Sequence, residues 1–133
     1  MNYQTITTDG YMGSIGYKGC NYHLWNTEKE LKNLLMQEFK KNGIKASIRR
    51  NRGGWSYSLT ITITADPKDL KVDYDGYPIQ TNHYRLWDDR FTFSFNNKLN
   101  LAYSIVQSFN RDNSNSMYDY YDVGFYVGFR VKC

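Results

Sequence analysis

The feature that most constrains this chain is a change of hydrophobic period at Asn42-Gly43. Before it, Leu31, Leu34, Leu35 and Phe39 fall on one stripe of an amphipathic helix, with Lys32, Lys40 and Lys41 outside the stripe. After it the period drops to two. Ile44, Ala46 and Ile48 alternate with Lys45, Ser47 and Arg49, and on the return Trp55, Tyr57, Leu59, Ile61 and Ile63 alternate with Ser56, Ser58, Thr60, Thr62 and Thr64. A helix therefore hands over directly to a β-hairpin. Thr27-Glu28-Lys29-Glu30 opens the helix as a capping box, in which the Thr27 hydroxyl accepts from the Glu30 amide and the Glu30 carboxylate reaches back to the Thr27 amide. Asn42-Gly43 supplies the left-handed stop, Gly53-Gly54 the hairpin turn, and Asp66-Pro67 the end of the second strand. One hairpin face can cover the helix stripe; the other is rich in hydroxyls and meets solvent or a partner.

The remaining segments are read against this unit. Residues 1–26 carry Gly10, Gly13, Gly16 and Gly19 at every third position but lack the Lys-Ser/Thr ending of a phosphate-binding loop, so they predict an irregular loop or a bulged strand over the core. Residues 65–90 predict a long connection pinned by Tyr74, Tyr77, Tyr84 and Trp87. Phe91, Phe93 and Phe95 predict a short strand, Asn96-Asn97 opens a second helix, and Ala102, Ile105, Val106 and Phe109 are its buried stripe. Alternation from Tyr121 to Val131 predicts the longest strand. The expectation is a single α+β domain over 1–133, a Gly-rich segment 1–26 followed by a core 27–133, with an antiparallel sheet and two helices packed on one face.

The formal charge is +4 and the isoelectric point about 9.0, which excludes an acidic mimic of DNA and favours contact with nucleic acid or an acidic protein surface. No apolar run reaches the length of a membrane span and the N-terminus has no signal-like pattern, so no membrane contact and a cytoplasmic location are expected. Neither His lies in a general-base motif and no Gly-x-Ser-x-Gly elbow exists, so an enzyme is not expected. A Cys20–His23 nucleophile and base pair lacks an orienting partner in the sequence. Cys20, His23, His83 and Cys133 are the four Cys and His residues of the chain, and two thiolates with two imidazoles suit a structural zinc if folding gathers them. The alternatives are a Cys20–Cys133 disulfide, disfavoured in a reducing cytosol, and unrelated thiols.

The best binding constellation is the hairpin tip. Lys45, Arg49, Arg50 and Arg52 stand beside Trp55 and Tyr57, so guanidinium groups are available for phosphates or carboxylates and rings for stacking. A solvated basic end that blunts a sheet edge is the competing reading.

Two stretches resemble a small domain associated with large polyvalent proteins of phages and conjugative elements. They are Lys29–Thr64, with Ile44-Lys45-Ala46-Ser47-Ile48-Arg49 and Gly53-Gly54-Trp55-Ser56, and Phe109–Val131, with Phe109-Asn110-Arg111-Asp112-Asn113-Ser114 and Asp119-Tyr120-Tyr121-Asp122-Val123-Gly124-Phe125-Tyr126. As a nearly stand-alone domain the chain resembles anti-CRISPR inhibitors, some of which contain zinc. The resemblance implies a counter-defence protein, monomeric or weakly dimeric, that binds a type II RNA-guided effector nuclease of the bacterial host and blocks loading of target DNA. It carries no catalytic residues over. The alternative is a nucleic-acid-binding accessory module of a mobile element, with Arg49, Arg50 and Arg52 on phosphates and Trp55 stacking.

Overall fold

The computed structural model describes residues 2–9, 11–51, 58–82, 87–114 and 123–133. Helix α1 (Glu28–Lys41) begins where the sequence places it, with the Thr27 hydroxyl accepting from the Glu30 amide at 3.2 Å. The reciprocal bond falls one residue earlier than expected: Glu30 Oε2 accepts from the Asn26 amide at 3.1 Å. Leu31, Leu35 and Phe39 are buried, and Gly43, at φ 71°, takes the left-handed conformation that ends the helix without side-chain strain.

Strands β3 (Ala46–Arg50) and β4 (Ser58–Thr64) form the expected antiparallel hairpin, with Ile48 opposite Ile61 and Ala46 opposite Ile63. They belong to a four-stranded sheet in the order β3-β4-β7-β5, completed by β5 (Ile79–Thr81) and β7 (Tyr126–Lys132). The fold is α+β, but the sheet is not wholly antiparallel: β4 and β7 run parallel, Ile61 beside Phe129 and Ile63 beside Val131. A parallel neighbour needs a crossover connection, and helix α2 (Phe93–Ser108) lies in the segment that joins the two strands.

Helix α2 starts three residues before the expected Asn96-Asn97. Thr92 is its cap, accepting from the Phe95 amide at 3.4 Å, and the predicted Phe91–Phe95 strand is absorbed into the cap and first turn, leaving Phe91 with a single bridge to Leu70. The reason is Asn96, which is buried and accepts from the Asp88 amide while donating to the carbonyls of Asp88, Phe91 and Thr92. That side chain folds the segment before the helix back onto the first turn, so Phe91 and Phe95 reach the core together with ring centroids 5.2 Å apart. Phe93 is left exposed.

The inward face of the sheet, Leu59, Ile61 and Ile63 of β4 with Phe129 and Val131 of β7, forms one core with the buried stripes of α1 and α2. Tyr103 of α2 packs edge-on against Phe129 at 4.6 Å and donates to Thr81 Oγ1 at 2.9 Å, which fixes α2 over β7 and β5.

The Gly-rich start, expected as an irregular loop or a bulged strand, holds two paired strands. Strands β1 (Thr5–Asp9) and β2 (Ile15–Gly19) pair antiparallel, and β2 pairs with the short β6 (Arg111–Asp112), giving a second, three-stranded sheet. Gly19 donates to Asn110 O at 2.8 Å, and a Cβ there would lie 2.1 Å from the Ser108 carbonyl oxygen, so only glycine allows this approach. The end of α2 thereby joins both sheets: Trp25 Nε1 donates to Phe109 O at 2.7 Å, and Asn110 bonds both the amide and the carbonyl of Phe125 just before β7.

Candidate partner-binding face

Side chains alternate across a strand, so the pairing register that buries Ile48, Ile61 and Phe129 turns their neighbours outward. Three rows result. Ser47, Thr62, Arg130 and Gln80 form one; Arg49, Thr60 and Gly128 form the second. Lys45, Thr64 and Lys132 form the third, since Thr64 N donates to Lys45 O at 2.8 Å and Thr64 pairs with Lys132. A central column of threonines is thus flanked by Lys45 and Arg49 on one side and Arg130 and Lys132 on the other. Strand spacing puts the flanking columns roughly 9–10 Å apart. No acidic residue occupies an outward position of the four strands.

None of these four cations makes an ion pair among the described residues, where the ion pairs are Lys41–Glu38, Arg50–Glu28 and Arg90–Asp88. Thr60 is buried, and beside it the face is open at Gly128, where a Cβ would meet nothing within 4 Å. Towards the hairpin tip the hydroxyls are organised by Asn51, whose Oδ1 accepts from Thr60 Oγ1 at 2.9 Å and whose Nδ2 donates to Ser58 Oγ at 3.0 Å.

Of the six residues expected to bind a partner, Lys45 and Arg49 lie on this face and are exposed. Arg50 does not. It is one position out of phase, on the side of α1, where its Nε meets Glu28 Oε2 at 2.9 Å. Arg52, Trp55 and Tyr57 lie outside the described residues. Arg130 and Lys132 were not expected as binding residues. Their alternation with Phe129 and Val131 was visible in the sequence, but the parallel register that sets them across the threonines from Lys45 and Arg49 was not.

Three of the four expected zinc ligands lie among the described residues. Cys20 is half-buried and its thiol donates to the Asn2 carbonyl at 3.1 Å; His23 is exposed in a 3₁₀ turn; Cys133 is exposed beyond β7; His83 lies outside the described residues. Both thiols are free. Cys20 follows Gly19, which bonds to Asn110 and so sits near Phe125, whereas Cys133 lies at the far end of β7, roughly 25 Å along an extended strand. Zinc needs both sulfurs at about 2.3 Å, so a single chain does not offer Cys20 and Cys133 to the same ion. Among the described residues no group of three or more Cys, His, Asp or Glu is arranged to hold a metal.

Away from the face, two tyrosines have hydroxyl pKa values raised above the ordinary 10.0. Burial is the main cause for both; at Tyr3 a hydrogen bond to Glu38 adds to it, and at Tyr103 the hydrogen bond to Thr81 opposes it. Arg90 is held protonated by its bonds to Asp88, and its Nη2 also donates to Gln80 O at 2.9 Å, against the outer edge of β5. No helix among the described residues is long and apolar enough to cross a membrane.

Comparison with protein-family models, curated proteins and solved structures gives no match.

Proposed function

We propose that this chain is a non-enzymatic binding protein that presents Thr62, Thr64 and the four flanking cations to an acidic partner surface. Following the resemblance of Lys29–Thr64 and Phe109–Val131, the partner is a type II RNA-guided effector nuclease in the cytoplasm of a bacterial host, bound so that target DNA does not load. The observation that carries the reading is the absence of any acid among the outward positions around Lys45, Arg49, Arg130 and Lys132. A flat, cationic, hydroxyl-bearing face gives long-range attraction and hydrogen bonds to carboxylates without needing a cleft.

The test is a pull-down against a panel of guide-loaded effectors paired with a target-cleavage assay. Capture with loss of cleavage is expected, and Arg130→Glu with Lys132→Glu is expected to weaken it by 10-fold or more. Full cleavage and no capture across the panel would remove the reading. The same face is chemically able to bond phosphates, which keeps direct binding of nucleic acid as a second reading. Four phosphate contacts would give a log–log salt slope of about −3 to −4, and no mobility shift of DNA or RNA at low salt rules it out.

A further inference from the structure

The sheet has two outer strands, and they are finished differently. At β5 the strand is three residues long and Arg90 donates to the outward Gln80 carbonyl. β3 is five residues long, and its pairing places its hydrogen-bonding groups in a definite alternation. Thr64 N donates to Lys45 O and Asn51 N to Ser58 O, so residues 45, 47, 49 and 51 are the positions bonded to β4. The amides and carbonyls of Ala46 and Ile48 therefore point away from the sheet. Beside Ala46 lies an open groove of about 640 Å³, with Met36 and Lys40 of α1 on one wall, Lys45 and Ser47 on the other, and Thr64 and Lys132 also in its lining. Met36 is 39% exposed there, a large apolar side chain on a helix whose other exposed residues are charged or polar.

We infer that this edge accepts an extended, acidic segment of a partner protein as a fifth strand. Main-chain bonds to Ala46 and Ile48 would hold the segment. Its side chains would alternate: one set against Met36, the other beside Lys45 and Arg49 on the outer face. Apolar residues suit the first set and Asp or Glu the second. A second copy of this chain is a poor occupant, because antiparallel β3–β3 pairing would set Lys45 and Arg49 of one copy against those of the other. The basic edge thus resists self-association and selects for acid. The inference shares Lys45, Arg49 and the sign of the partner's charge with the proposed function, but the outward main-chain groups of Ala46 and Ile48 belong to the edge alone, so the edge can take a strand whether or not Arg130 contacts a nuclease.

The probe is an acetylated, amidated heptapeptide of alternating Glu and Val, with the Lys and Val counterpart as control. Amide hydrogen exchange read residue by residue by NMR is expected to slow at least 10-fold at Ala46 and Ile48 when the acidic peptide is saturating. Ala46→Pro removes an outward amide and leaves the bonds to β4 in place, so it is expected to weaken the peptide at least 10-fold while the Ser47 and Arg49 amides stay protected. Met36→Glu, on the helix wall, is expected to weaken it without touching the strand. Arg130→Glu is expected to change peptide binding less than 3-fold, which separates this edge from the sheet face. No binding at 1 mM, equal affinity for the basic peptide, or protection at Thr5 and Thr7 of β1, whose amides point away from β2, in place of Ala46 and Ile48 would overturn the inference.

Discussion

Arg49 and Arg50 are neighbours in the chain and opposites in the fold. Arg49 faces the threonine column, whereas Arg50 crosses to Glu28 in a pair whose arginine side chain is 61% exposed. Such a pair contributes at most about 1 kcal/mol, so Arg50→Ala is expected to cost no more than that and to leave partner capture unchanged, while Arg49→Glu weakens capture and leaves stability alone. Equal loss of capture in both variants would mean that the hairpin tip, not the sheet face, makes the contact. Cys20 is the other residue whose placement changes its meaning. With its thiol donating to one carbonyl and Cys133 far along β7, Cys20→Ser is expected to shift stability by less than about 1 kcal/mol. Protein purified without a His tag is expected to carry little zinc, with a Tm that chelator does not move; about one zinc per two chains would mean that two chains share an ion, and about one zinc per chain would overturn the expectation.

Elements of this fold are joined at the two ends of α2. At the start, Asn96 satisfies four backbone groups of the segment 88–92 from one buried amide. Asn96→Leu keeps the volume and strips the Asp88 amide and the Phe91 carbonyl of this partner, whereas the carbonyls of Asp88 and Thr92 still accept from the Phe91 and Asn96 amides; a loss of about 2–4 kcal/mol in denaturant unfolding is expected. At the end, Gly19 brings β2 against the backbone of Ser108. Gly19→Ala is expected to cost about 2–3 kcal/mol or to release the β1–β2 hairpin, visible as lost amide protection over residues 5–19, because backbone cannot yield as a side-chain tip can. Gly128 is the contrasting case on the open face. Gly128→Glu meets no neighbour, so stability should be nearly unchanged, yet it sets a carboxylate between Arg49 and Arg130 and is expected to reduce capture.

The whole molecule carries an alkaline pH dependence that follows from two tyrosines, Tyr103, which is buried, and Tyr3, which is partly buried. Tyr103 and Tyr3 have raised pKa values when folded, so above about pH 10 the unfolded chain loses these protons first. The contribution of these two groups to stability is therefore constant below that point and falls as pH climbs towards the folded values. Tyr103→Phe is expected to flatten the alkaline slope measured by urea unfolding; an unchanged slope would assign it to other groups. The helix-to-hairpin unit from Thr27 to Thr64 was readable from the chain because its signals are local. A capping side chain lies three residues from the amide it serves, and period two or 3.6 needs only a few consecutive residues to declare itself. The Phe91–Phe95 segment misled for a related reason: alternating aromatics satisfy the strand pattern, and the Asn96 contacts that turn them into a helix start exist only after folding. The parallel pairing of β4 with β7 has no local signature, since it rests on α2 carrying the chain across the sheet between positions 64 and 126. With that pairing came Arg130 and Lys132. Each was legible as an outward residue of a strand, but which strand lay beside it, and so whether four cations would share one face, depended on contacts between residues some 60 to 80 positions apart, where the energy of burying Ile61 and Phe129 together selects the register.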